Sequence, residues 1–199
     1  MFGRMRAAGD AIDSAFENLD QQQVVKVQDR RLQPYIRSQL FIALVAELED
    51  FLGSLLRLII SQYPKKIADK SITVDRLVDL GFAGAIEEAI DSTVHDLFYA
   101  KPQQYQDTVL RLLSGDSKLV ANFWPAYVEL KARRDVGVHG DWRRNAIYDR
   151  KVSEVGLPTP AEDFLGIADV YFKQALKVGE QMIRTLSDHC LAKFCSAVT

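Results

Sequence analysis

The chain has 199 residues, 48% of them hydrophobic and 26% charged, with a net charge of −2 and a pI near 5.9. That length buries a full core without disulfides or a structural metal, and that composition excludes a chain disordered over most of its length. The charge balance also excludes a protein that coats nucleic acid by bulk electrostatics; contact with an anionic polymer must come from a local patch.

The opening MFGRMRAAGDAIDSAF carries charges too early and lacks an apolar run, so a signal peptide is not expected. Residues 1–35 are helix-prone but polar, with Gln21 to Gln23 in a row, and are read as a helical arm that could pack on a neighbour. From Ile36, the apolar residues Leu40, Leu44, Leu48, Leu52, Leu55 and Ile59 recur at steps of four or three, predicting one helix that ends near Pro64. Its most apolar run is broken by Glu47, Glu49 and Asp50, which makes a membrane span costly and a cytoplasmic protein the expectation.

Shorter helices are predicted over Val74 to Leu80, stopping at Gly81, then Ala83 to Tyr99, then Gln104 to Leu113, ending at Gly115. The next begins after Ser117 and reaches Asp135, with a kink expected at Pro125. A short helix is expected within Arg143 to Val152. The last, striped by Phe164, Ala168, Tyr171, Ala175, Val178, Met182 and Leu186, is read as starting at Ala161 and running past Cys190. No segment alternates with period two, so the fold class is all-α: a helical bundle with long antiparallel helices, the two longest forming its central pair. One domain is drawn over 36–195, with a tail at 196–199. Cys190 and Cys195 alone are a poor zinc signal and read as reduced thiols; no metal or cofactor is expected.

Candidate chemistry crowds into ELKARRDVGVHGDWRRNAIYDRK, from Glu129. Between Lys131 and Lys151, seven Lys or Arg residues stand against three Asp residues, a net excess of four positive charges in a net-negative chain. That inversion suits an anionic ligand such as a phosphodiester. His139 titrates near neutrality and can take or give a proton. Arg134 is permanently charged and can hold two phosphoryl oxygens. On a continuous helix these two lie about 140° apart; fraying at Gly137 would let the chain bend the imidazole back toward the guanidinium. A base and a fixed cation are the parts needed to cleave RNA by attack of the 2′-hydroxyl on the adjacent phosphorus. The plainer reading is a helix end whose arginines complement the dipole, with Glu129–Arg133 and Lys131–Asp135 as ordinary i,i+4 pairs and His139 capping a turn.

ARRDVGVHG resembles the signature of the HEPN superfamily, an arginine followed four to six residues later by histidine, with a polar residue after the arginine; here these are Arg134, His139 and Asp135. Asn145-x-x-Tyr148 resembles a downstream segment of many members, LVAELEDFLGSLLRLI resembles their long first-half helix, with Glu47 as its acidic residue, and DLFYAKP resembles a mid-domain helix end. The resemblance spans about Ile36 to Cys195. It implies a helical bundle, often a homodimer with two motifs across a shared cleft, and in many members a metal-independent endoribonuclease of toxin–antitoxin or antiphage defence systems. Carried onto this chain, Arg134 and His139 would be catalytic and Asp135 would orient one of them or the RNA, with Asn145, Tyr148 and Glu47 in support. The partners implied are an RNA substrate, a second copy and an antitoxin or defence-system protein. Some toxins of the group carry a modified tyrosine two residues after the histidine; here Asp141 stands there. Members that have lost activity serve as modules binding RNA, a nucleotide or a protein, and that is the rival expectation; a structural helical adaptor is the third.

Around the motif, Trp142 would stack a base or pack beneath a loop. Arg133, Arg143 and Arg144 would grip phosphates or remain solvated. His95 and His189 stand without spaced ligand partners and read as surface or half-buried histidines.

Overall fold

The computed structural model describes residues 21–195, with side chains from Leu32 onward. The tail at 196–199 and the first 20 residues of the expected arm lie outside the described residues. Among the described residues are seven α-helices and no strand: α1 (Gln21–Gln62), α2 (Val74–Tyr99), α3 (Pro102–Leu113), α4 (Ser117–Val120), α5 (Trp124–His139), α6 (Ala146–Glu154) and α7 (Asp169–Cys190). The all-α expectation therefore holds. No helix among these residues is long and apolar enough to cross a membrane.

The long helix α1 includes Pro34 and runs across the boundary drawn at residue 35. Its buried face is Phe41, Val45, Leu48, Leu52, Leu56, Ile59 and Ile60, at steps of three and four closed by an adjacent pair. The predicted stripe is rotated slightly from this face: Leu48, Leu52 and Ile59 are on it, whereas Leu40 is half exposed. A proline-capped turn, Pro64–Ile67, ends α1.

Thr73 opens α2 by accepting a hydrogen bond from the Arg76 amide (3.4 Å). Gly81 interrupts α2 at φ 67°, ψ 173°, a conformation that glycine adopts at least cost, so the break falls where the sequence puts it. Pro102 starts α3, and left-handed Ser114 ends it, with the Gly115 amide donating to the Leu110 carbonyl (2.9 Å). Pro125 does not kink a helix. It sits in the first turn of α5, where a missing N–H costs nothing, and a separate short α4 precedes it. Asn145 opens α6, its side chain accepting from the amides of Ile147 (3.0 Å) and Tyr148 (2.9 Å). The last helix begins at Asp169, not Ala161; residues before it form an extended connection in which Leu165 is buried, Phe164 is exposed and the Leu165 amide donates to the Trp142 carbonyl (2.7 Å).

Contacts fix the relative directions. Arg57 pairs with Asp91 and Gly53 faces Phe98, so α1 and α2 are antiparallel. Phe41 meets Trp142, and Glu49 meets Lys131 and Arg134, so α1 and α5 are antiparallel as well. The pairing expected between the first and last long helices is different: Phe41 meets Tyr171, Leu48 meets Gly179, and Tyr63 meets Phe194, so α1 and α7 run parallel. The intervening helices return the chain to the end from which α1 began. One large core joins α1, α2, α3, α5 and α7, and a smaller one, Ala132, Val136, Tyr148, Val152 and Leu165, holds α6 against α5.

Candidate functional site

Central to the bundle is α5, and its residues divide by face. Trp124, Tyr127, Val128, Leu130, Ala132 and Val136 are buried apolar positions. The remaining turns send charged groups in two opposed directions, because consecutive helical residues point about 100° apart.

Arg133 turns toward α6 and α7. Its Nε donates to Glu129 Oε1 (2.8 Å), and its guanidinium lies 4.0 Å from the centre of the Tyr171 ring. Glu129 also accepts from the Tyr148 hydroxyl (2.6 Å) and the Tyr171 hydroxyl (2.5 Å). The carboxylate is thus charge-paired and hydrogen-bonded, as a buried anion must be. Burial, then the Glu129 charge, push both phenols well above the usual tyrosine range.

Arg134 turns the other way, toward α1. It pairs with Glu49, which also accepts an ion pair from Lys131 Nζ (2.7 Å). On its second side Arg134 Nε lies 3.5 Å from Asp135, whose other oxygen takes Lys151 Nζ of α6 (3.0 Å). Lys131, Glu49, Arg134, Asp135 and Lys151 therefore form one chain of alternating sign from α1 across α5 to α6. Lys131 does not make the expected i,i+4 pair with Asp135. Its ammonium is surrounded by the rings of Tyr105 (4.5 Å), Phe98 (4.9 Å) and Tyr127 (5.8 Å), a cation–π cage. Burial holds its pKa below the ordinary lysine value, against the pull of Glu49.

All five charges line a cleft of about 790 Å³. His139 also lines it, at the last turn of α5, together with Asn145 and Tyr148. The helix does not fray at Gly137; it continues to His139. It stops there through an abrupt reversal, in which Asp141 (φ 50°) and Trp142 (φ 62°) are both left-handed and the amides of Gly140 and Trp142 donate to the Val136 carbonyl (2.8 and 3.2 Å). Trp142 then folds back onto the helix: a Cβ at position 137 would lie 2.5 Å from its ring. Of the two readings of Trp142, the structure shows packing, against Gly137 and Phe41.

The remaining motif neighbours fall outside the cleft lining. Arg133 is buried behind α5 as described. Arg144 donates to the Pro160 carbonyl and lies 3.4 Å from Asp149. Arg143 is exposed, its backbone bridged to Phe164. Glu47 is exposed on α1, and the acid that reaches Arg134 is Glu49, two residues on. His189 bonds the Leu113 carbonyl (2.9 Å), joining α7 to the end of α3. Cys190 is buried and Cys195 exposed. The lining groups that the sequence reading did not place in the site are Glu49, Lys131 and, from α2, Phe98, Tyr99 and His95, the last read there as a surface or half-buried histidine. Their signal in the sequence was only helical phase: His95 and Tyr99 are one turn apart.

Among the described residues no group of three His, Cys, Asp or Glu is arranged to hold a metal ion. No protein-family model matches the chain, and no match is found among curated proteins or solved structures.

Proposed function

We propose that the protein is a metal-independent endoribonuclease of the HEPN kind, acting as a toxin or antiphage effector in the cytoplasm. The observation that supports this reading is that Arg134, Asp135 and His139 line one cleft, beside Lys131 and Lys151. In the proposed reaction His139 removes the 2′-hydroxyl proton of RNA. The 2′-oxygen attacks phosphorus, and Arg134 and Lys131 stabilise the charge that develops on the phosphoryl oxygens. Asp135, held between Arg134 and Lys151, fixes the arginine's orientation. A second copy of the chain and an antitoxin or other defence-system protein are the proposed partners.

The test is cleavage of a labelled RNA by purified protein in EDTA, beside His139→Ala and Arg134→Ala. Wild-type cleavage to 2′,3′-cyclic phosphate ends, lost in both folded variants, is the expected result. A wide RNA panel left intact by the wild type would refute it. The second reading, a non-catalytic HEPN module, draws on Glu49: its carboxylate already occupies Arg134 and Lys131, the two cations a phosphate would need. RNA retention without cleavage is the outcome that reading predicts.

A further inference from the structure

Resting on the ribonuclease reading, we propose that His95 is a second catalytic residue, the general acid that protonates the leaving 5′-oxygen. The reaction needs two proton transfers at opposite ends of the phosphorus: one removed from the 2′-hydroxyl, one delivered to the departing alkoxide. His139 can perform only one of them in a single pass. Two histidines line the same cleft from different helices, His139 from the end of α5 and His95 from α2. The cleft's volume of about 790 Å³ is in the range of small-molecule sites, enough for two adjoining nucleotides.

The surroundings of His95 suit the acid. Its Nδ1 is 3.7 Å from the Asp96 carboxylate, a contact on one side of the ring. Its ring packs on Tyr99, with centroids 4.9 Å apart, which restricts the side chain although it is 70% exposed. Tyr99 itself is 80% exposed on the cleft rim and offers a face for a base. The proton inventory closes: His139 gains the 2′-hydroxyl proton, the O2′–P bond forms, the P–O5′ bond breaks, and O5′ takes the proton that His95 loses. Exchange with water resets both rings.

Two substrates separate this role from a structural one: a ribodinucleoside monophosphate, whose leaving alkoxide needs a proton, and a uridine 3′-(4-nitrophenyl phosphate), whose leaving phenolate does not. His95→Ala is expected to slow the dinucleotide by about 100-fold or more, and the nitrophenyl ester by no more than about threefold. His139→Ala is expected to slow both. Equal loss on both substrates in His95→Ala, or no loss on either, overturns the general-acid role while leaving the ribonuclease reading in place. A wild type inert toward both substrates overturns both.

Discussion

Glu49 holds two cations at once, and its replacement by glutamine tests how the charge chain contributes to stability. Glu49→Gln keeps the shape but leaves the Lys131 ammonium, 11% exposed, without its ion-pair partner and with Arg134 beside it. Removing one partner from a buried pair costs about 3 kcal/mol or more. With a urea m-value of about 2 kcal/mol per molar, the midpoint falls by about 1.5 M at pH 7. The loss has a pH signature. Burial already holds the Lys131 pKa below its unfolded value, and without the Glu49 charge it falls further. Between the folded and unfolded pKa values the unfolded chain binds the extra proton, so the variant gains stability as pH rises toward about 10, the unfolded lysine value. The gap to wild type is therefore widest near neutrality and narrows by about pH 9.5. Adding Lys131→Met to Glu49→Gln, which removes the stranded charge, is expected to recover most of the loss. Urea titrations of the three proteins at both pH values measure this. A gap under about 0.5 kcal/mol at pH 7, or one of equal size at both, refutes the reasoning.

Other perturbations read different parts of the structure. Gly137→Ala gains helix propensity of about 1 kcal/mol but forces the Trp142 ring off the helix, so a net loss of about 1–3 kcal/mol and a red-shifted tryptophan emission are expected. Unchanged emission would show that the ring does not rest there. Asn145→Ala removes the cap of α6 and is expected to cost about 1 kcal/mol in thermal or urea unfolding. Tyr171→Phe takes one hydroxyl from the buried Glu129 carboxylate, an expected loss of about 1.5–3 kcal/mol. Burial, with Cys195 nearby, pushes the Cys190 thiol up to about 11, so a thiol reagent at pH 8 is expected to modify Cys195 quickly and Cys190 only slowly.

Local signals read well from the sequence where chemistry is local. Gly81 breaks α2 where the sequence puts it, because positive φ depends on one residue alone; the Asn145 cap of α6 is as local, but a helix expected from Arg143 leaves that cap unread. The kink expected at Pro125 does not form, since a proline can also begin a helix, and packing of Trp124 and Phe123 into the core decides for that. The false start at Ala161 arose because Phe164 falls in step with Ala168 and Tyr171; in the structure Phe164 is exposed and its neighbour Leu165 is buried under α5 and α6. Long-range direction was not legible at all. Nothing in the stripes of α1 and α7 distinguishes parallel from antiparallel, which depends on how many helices lie between them. The site was half visible: Arg134, Asp135 and His139 share a short segment, whereas Glu49 and His95 reach it only through tertiary packing.

The parallel run of α1 and α7 has an electrostatic consequence. Antiparallel neighbours cancel their peptide dipoles, but two parallel ones place both negative ends together, each equivalent to about half an electron charge. That end, where Tyr63 meets Phe194, is where Lys65, Lys66, Arg111 and Lys193 gather. Lys66 donates to the Ser114 hydroxyl (2.6 Å) and sits 5.3 Å from the Phe194 ring centre, while Arg111 donates to the Lys66 carbonyl (2.5 Å). Burial and the nearby Arg111 and Lys193 charges lower its pKa, so the cations do repel one another. The twin helix termini offset that repulsion, and a net-negative molecule can thus keep a cluster of cations at one end of its axis, about a turn and a half along α1 from Arg57 of the cleft lining.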